Sequence, residues 1–285
     1  MYGTISTFAI DRILQGALAE DIGTGDITTL STVPPERTIS GRYIAKEDGV
    51  LCGLELVARA FALLDASIAF KPLKRDGDAV RKGDFVATVS GNARAILTGE
   101  RVGLNLLQHM SGVASQTARA VAAVAGTGAK IVDTRKTTPG LRVLDKYAVR
   151  AGGGGNHRFG LSDGVLIKDN HIVAAGGIAE AVAAARARAP HSLRVEVEVE
   201  TLEQLREALA AGADIIMLDN MSVEDMREAV RIVDGRALTE ASGNMGDKSD
   251  AELRAVAETG VDLISIGART HSVRALDISL KFDRA

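Results

Sequence analysis

From Lys130 onward the chain alternates short β-branched runs with amphipathic helical stretches, and this alternation constrains the fold more than any other feature. Candidate strands fall at 130–133, 164–167, 194–199, 214–218, 236–238 and 262–266. Helical periodicity marks 178–189, 202–211, 223–233 and 250–259 between them. Strands joined through helices pair in parallel, because the crossover returns the chain to the same end of the sheet. Six such units in series predict an α/β barrel, with an open doubly wound sheet as the other compatible fold. Gly212 and Gly260 stand where helices should stop, since glycine takes the left-handed conformation at a helix end.

In an α/β barrel, chemistry collects where strands end and loops begin. The first candidate strand ends in Thr134-Arg135-Lys136 and the second in Lys168-Asp169-Asn170-His171. The third carries Glu196, Glu198 and Glu200 in strict alternation, so the three carboxylates share one face. The fourth ends in Asp219-Asn220, the fifth in Glu240-Ala241-Ser242-Gly243 and the sixth in Gly267. Arginine grips a carboxylate or phosphate with two parallel hydrogen bonds, and lysine acts as a movable point charge. Arg135, Lys136, Arg158 and Lys168 therefore read as a cradle for an anion. Glu198 and Asp219 read as carboxylates for a divalent metal or for hydroxyls. Ser242, Gly243 and Gly267 offer backbone N–H groups that suit a phosphate. Gly152 to Gly155 precede Asn156-His157-Arg158 and position His157 and Arg158. This run is neither a nucleotide-hydrolase phosphate loop nor a dinucleotide fingerprint, because the glycine spacings differ.

The first hundred residues read differently. A helix is expected over 8–19, and Glu20 to Asp26 form a turn and not a calcium loop. Short strands at 41–44, 50–52, 69–73 and 85–89 predict a small β-rich domain. The hairpin around Asp76-Gly77-Asp78 is like that of lipoyl carriers, but has no modifiable lysine at its tip. Thr98 is placed as the cap of a helix to Met110, with a second helix over 113–125. The division expected is an N-terminal α+β, sandwich-like domain over 1–111 and a catalytic barrel over 112–269, with 270–285 packing back on the first domain.

Charge sharpens the picture. The 285 residues sum to a net charge of -3, but Arg101 to His171 hold ten bases and four acids, leaving +6 there and -9 elsewhere. A segment this basic, at strand ends and beside glycines, attracts anions. One cysteine excludes an internal disulfide. Three tyrosines, six phenylalanines and no tryptophan argue against a stacking platform for nucleic acid. No apolar run is long enough for a membrane span and no leader follows Met1, so the expected compartment is the cytoplasm.

These motifs together resemble the quinolinate phosphoribosyltransferase family over nearly the whole chain. The residues that carry the likeness are Glu20 to Thr28, Gly99-Glu100-Arg101, Asp133 to Arg142, Lys146, Gly153 to Arg158, Leu166 to His171, Glu196-Val197-Glu198, Met217 to Asn220, Glu240 to Asn244 and Gly260 to Gly267. Arg269, before Thr270-His271-Ser272, stands where leucine is expected. The resemblance implies an N-terminal α+β domain and an incomplete, seven-stranded, TIM-like barrel. It implies transfer of phosphoribosyl from 5-phosphoribosyl-1-pyrophosphate (PRPP) to quinolinate, with Mg2+ and loss of CO2, in NAD synthesis. It implies a homodimer or higher homo-oligomer in which Arg101 is donated across the interface. Arg101, Arg135, His157, Arg158 and Lys168 would hold the quinolinate carboxylates. Lys136, Lys168, Ser242, Gly243 and Gly267 would hold PRPP. Lys136, Glu198 and Asp219 would be catalytic, the two carboxylates holding ribose hydroxyls or the metal. The competing readings are a non-decarboxylating or non-catalytic relative, and a Schiff-base barrel lyase using Lys136 or Lys168.

Overall fold

The computed structural model describes residues 5–283, and they form two compact units. The first holds the described residues up to Ala118, together with Thr138–Gly153 and those from Ser272 on. The second holds Arg119–Thr137 and Gly154–His271. Among the described residues no helix is long and apolar enough to cross a membrane.

The first unit is built on a four-stranded sheet in the order Ile278–Phe282, Thr38–Ala45, Phe85–Asn92, Ala69–Pro72. The chain's last strand pairs antiparallel with Thr38–Ala45, from Gly41↔Phe282 to Ala45↔Ile278. The helix Leu54–Leu64 lies between two apolar clusters because its apolar residues occupy two stripes. Leu54, Val57 and Phe61 join Tyr43, Val86 and Val89, while Leu56 and Ala60 join Ile10, Leu14 and Leu144. Asp26 caps the helix Ile27–Thr32 by accepting from the Thr29 N–H. The first helix runs Thr7–Ile22, so Glu20 and Asp21 are helical and the expected turn is confined to 23–26.

One expectation for this region fails. A single helix, Ala93–Ala123, replaces the two helices expected over 98–110 and 113–125. Ser111-Gly112 does not break it. Ser111 Oγ accepts from the Cys52 N–H and donates to the Cys52 carbonyl. A Cβ on Gly112 would lie 2.4 Å from the Arg274 carbonyl, so this glycine serves close packing. Thr98 sits inside the helix, and its hydroxyl donates to Asp26.

The second unit contains a six-stranded parallel sheet in the order Lys130–Val132, Leu263–Ser265, Leu238–Ser242, Ile215–Asp219, Val195–Val199, Val165–Ile167. Read around from the first strand, the neighbours follow chain order, which is the ordering of a barrel with one seam. At the seam, the position of a seventh strand is held by one parallel bridge, Val132↔Gly155. The barrel is therefore incomplete, with six strands and a bridge where seven strands were expected. Val195, Val197 and Val199 face the surrounding helices and join their apolar cluster. Glu196 and Glu198 alternate with them and face the other way. Burial falls off along that inner face and beyond it: Glu196 is buried, Glu198 half-buried and Glu200, just past the strand, exposed. Thr201, Ser222 and Ser249 cap the helices that follow three of the strands. The fifth strand begins at Leu238 and not at 236, because the Arg236 side chain turns back to the carbonyls of Ile232 and Val233.

Candidate active site

Ten of the eleven expected site residues lie in the second unit, at or just beyond the C-terminal ends of its strands. They are Arg135, Lys136, His157, Arg158, Lys168, Glu198, Asp219, Ser242, Gly243 and Gly267. The eleventh, Arg101, is exposed on the helix Ala93–Ala123 within the first unit.

Asp133 organises one side. Its buried carboxylate accepts the His157 N–H at 2.9 Å and the Asn156 amide at 2.6 Å. Gly155 extends the anchoring through its N–H to the Ile131 carbonyl, 2.8 Å. The loop carrying His157 and Arg158 is thus sewn to the strand that delivers Arg135 and Lys136. Arg158 donates from Nη1 to the Gly164 carbonyl at 3.0 Å, and its buried Nε has no hydrogen-bond partner. Burial, and then the positive charge of Arg135, depress the Arg158 pKa from its ordinary value. Two guanidiniums that raise each other's electrostatic cost are a site prepared for an anion.

Lys136 runs across Gly267. A Cβ at Gly267 would meet the Lys136 Cδ at 2.9 Å, so only glycine leaves room for that side chain. The buried Thr270 hydroxyl donates to the Lys136 carbonyl at 2.7 Å and fixes the crossing. Lys168 forms an ion pair with Glu198. On the adjoining strand Asp219 accepts from the Asn220 amide at 2.8 Å. Asp219 is in register with Ser242, which brings the carboxylate strand beside the Ser242-Gly243 turn. Gly243 has φ +85, and a Cβ there would lie 2.1 Å from Asn220 Oδ1. Arg269 is half-buried, and burial followed by the charge of Arg119 lowers its pKa.

Sequence reasoning missed the deeper polar layer. Glu196 and Glu240 are 3% and 1% exposed, and His157 Nε2 lies 3.0 Å from Glu196 Oε2 and 3.7 Å from Glu240 Oε2. The alternation of Glu196 with Glu198 was the available signal for the first. Glu240 was read as a strand terminus but lies within the strand Leu238–Ser242. Burial, then the Glu196 charge, push the Glu240 carboxyl up to about 7, with His157 opposing. A carboxyl raised in the folded state adds stability fully below its ordinary pKa, and loses it as pH rises through the folded value. Glu240→Gln should therefore match the parent below the ordinary carboxyl pKa of 4.5, at about pH 3.5, and exceed it at about pH 8, above the folded value. The gain is roughly 3 kcal/mol at most, from 1.36 kcal/mol per pKa unit. Chemical denaturation at both pH values measures it; an equal difference at both would show that the carboxyl does not hold its proton in the fold.

Comparison with known proteins places this arrangement. The family model described as the C-terminal domain of quinolinate phosphoribosyl transferase matches residues 113–281, and that of its N-terminal domain matches 26–111. A probable nicotinate-nucleotide pyrophosphorylase [carboxylating] of Bacillus subtilis is 49% identical over 95% of this chain and 92% of its own. The chloroplastic nicotinate-nucleotide pyrophosphorylase [carboxylating] of Arabidopsis thaliana is 44% identical over 97% of this chain and 84% of its own. The solved nicotinate-nucleotide pyrophosphorylase of Francisella tularensis superposes with a TM-score of 0.94 at 42% identity, covering 99% of both chains. Human nicotinic acid phosphoribosyltransferase, at 13% identity and a TM-score of 0.62, shares the fold.

Proposed function

This chain belongs to the quinolinate phosphoribosyltransferase family, and on that footing we propose that it transfers phosphoribosyl from PRPP to quinolinate with decarboxylation. The products are nicotinate mononucleotide, pyrophosphate and CO2, on the route to NAD. The observation that carries the reading is that the neighbouring charges of Arg158 and Arg135 and the Lys168–Glu198 ion pair all lie at or beyond the C-terminal ends of one parallel sheet.

Arg135, Arg158 and Lys168 hold the two carboxylates of quinolinate, and Arg101 is supplied by the neighbouring subunit of a homodimer. Its exposure on a helix agrees with such a role. The backbone N–H groups about Ser242, Gly243 and Gly267 hold the 5-phosphate, and Lys136 faces the pyrophosphate. As the bond from the ribose carbon to pyrophosphate breaks, positive charge develops on the sugar, and the carboxylates of Glu198 and Asp219 stabilise it. The pyridine nitrogen forms the new bond to that carbon and the ring becomes cationic. The bond to the adjacent carboxylate then breaks, CO2 leaves, and its electron pair goes to the ring carbon, which takes a proton. The substrate supplies its own electron sink, so Lys136 and Lys168 need form no Schiff base.

Glu198 and Asp219 are hard oxygen donors on paired strands, at half-buried positions. That donor set fits Mg2+, which keeps several waters and takes other ligands from phosphates. When bound, Mg2+ neutralises charge on the departing pyrophosphate. We place the enzyme in the cytoplasm.

The test uses quinolinate labelled in its 2-carboxylate. Labelled CO2 should appear only when the purified protein, PRPP and Mg2+ are all present. Consumption of nicotinate with PRPP, and no turnover of quinolinate, would sink the proposal in favour of a non-decarboxylating relative.

A further inference from the structure

Two neighbouring strands of the parallel sheet end in left-handed backbone. Asn220 follows Ile215–Asp219 with φ 55, and Gly243 and Asn244 follow Leu238–Ser242 with φ 85 and 49. Glycine takes this conformation without strain, and asparagine tolerates it better than most side chains. A glycine at 220 would serve the backbone at lower cost, so the asparagine is there for its amide. That amide stands between two parts of the site. Its Nδ2 donates to Asp219 Oδ2 at 2.8 Å, and among the described residues this is the only hydrogen bond that the Asp219 carboxylate accepts. Its Oδ1 faces turn 242–244. Asn244 Nδ2 donates to it at 3.4 Å, and a Cβ on Gly243 would lie 2.1 Å from it. The Asn220 N–H donates to the Ser242 carbonyl at 3.2 Å. Turned over, the amide would set its oxygen against the Asp219 carboxylate, and that repulsion decides which end points where. The Asn244 bond is at the long end of hydrogen-bond range, so a small movement of the turn strengthens or breaks it.

We propose that Asn220 is a positioning residue that couples turn 242–244 to Asp219, so that a phosphate group seated on the turn also fixes the carboxylate that faces the ribose. The coupling rests on the phosphoribosyl reading above and deepens it: the 5-phosphate of the donor activates bond breaking and is not only a handle. The path is short. A phosphate that accepts from the turn's N–H groups fixes Gly243 and Asn244. Gly243 approaches Asn220 Oδ1 too closely for a methyl to fit between them, so a fixed turn fixes the amide. The amide keeps its donor on Asp219, and the carboxylate is held where positive charge develops on the sugar. Binding of a group that does not react thereby lowers the barrier at the carbon that does, which raises kcat and not affinity alone.

The experiment uses the full chain and a donor supplied in two pieces: ribose 1-pyrophosphate, which lacks the 5-phosphate, and phosphite dianion. With quinolinate and Mg2+ present, phosphite should raise kcat/KM for the truncated donor about thirtyfold in the parent. In Asn220→Gly, which keeps the positive φ and has no amide, the rise should be less than about twofold. With intact PRPP, Asn220→Gly should lower kcat about thirtyfold, as for the loss of one hydrogen bond to a charged group, and leave the KM for PRPP within about threefold. Asn220→Asp keeps the shape and the backbone but offers Asp219 no donor, and its kcat should fall at least as far. A parent-like kcat in Asn220→Asp would show that residue 220 only fills space, and overturns the proposal. Equal phosphite activation in the parent and in Asn220→Gly, or none in the parent, overturns it as well. A second arm needs no turnover. In protein labelled with nitrogen-15 asparagine, phosphite alone should shift the Asn220 side-chain amide signal, assigned by its loss in Asn220→Gly. An Asn220 amide that phosphite leaves unmoved overturns the coupling. A protein that releases no CO2 from quinolinate defeats the functional reading, while the amide shift still decides whether the turn and Asn220 are linked.

Discussion

Arg158→Ala raises the KM for quinolinate about a hundredfold in steady-state assays, while the KM for PRPP stays within about threefold. A guanidinium–carboxylate pair is charge-assisted on both sides, and each such bond is worth roughly 1.5–3 kcal/mol. Two factors set the size. Arg158 has a buried Nε without a partner, so the residue carries donor capacity that a ligand would satisfy. Against that, removing Arg158 relieves the repulsion from Arg135 that depresses its pKa, so the loss falls short of that for an isolated pair. Arg158→Lys should recover little, because an ammonium cannot reproduce the planar two-point contact. Equal rises in both KM values would remove Arg158 from the carboxylate site.

Gly243→Ala should lower kcat/KM for PRPP about a hundredfold and stability by roughly 3 kcal/mol, with denaturation and initial-rate assays as the readouts. Backbone strain is part of this: φ of +85 is open to glycine and costly for alanine. The larger part is steric. The new methyl would lie 2.1 Å from Asn220 Oδ1 and 2.7 Å from the Asn220 backbone nitrogen. Asn220 itself has a positive φ of 55 and donates to Asp219, so pushing it aside moves a carboxylate assigned to the ribose. The double change Asn220→Gly with Gly243→Ala should recover part of the stability and none of the activity, because the side-chain contact is removed, the backbone contact remains and Asp219 loses its donor. A Gly243→Ala enzyme of normal stability and rate would show that this turn has space the geometry denies it.

The barrel was legible because its signals are local. Each strand is a short β-branched run, three of the helices follow a capping Thr or Ser, and each strand end is a switch to charge or glycine. Glu196, Glu198 and Glu200 show how far this goes. Their spacing of two identified a shared face, and Glu196 and Glu198 share it, while Glu200 lies just past the end of the strand. Their depth was not legible, because depth depends on what the other strands place opposite. Glu240 was misread for the same reason: a polar residue after a short apolar run looks like an end, yet the strand continues through it to Ser242. Thr239, next to it, is satisfied by Asp262 on the neighbouring segment, 23 residues away. The unbroken helix Ala93–Ala123 failed for a related reason. Gly112 signals a break locally, but its cause is the backbone of Arg274 and Ala275, far along the chain. The hydrogen bonds of His157 were equally invisible. A histidine after four glycines shows no sign of which nitrogen accepts, and only the placement of the Arg158 N–H against Nδ1 reveals it.

The graded burial along the strand Val195–Val199 and into Glu200 has one more consequence. Three identical side chains stand at steps of about 6.6 Å, twice the rise per residue of a strand. The chemistry of the side chain is constant, so the differences among them come from depth and from the partner each one meets. The deepest meets a histidine, the next a lysine, and the outermost is exposed to water. The strand thus sets one side chain at graded depths, so that a single residue type meets a buried imidazole at one end and open water at the other.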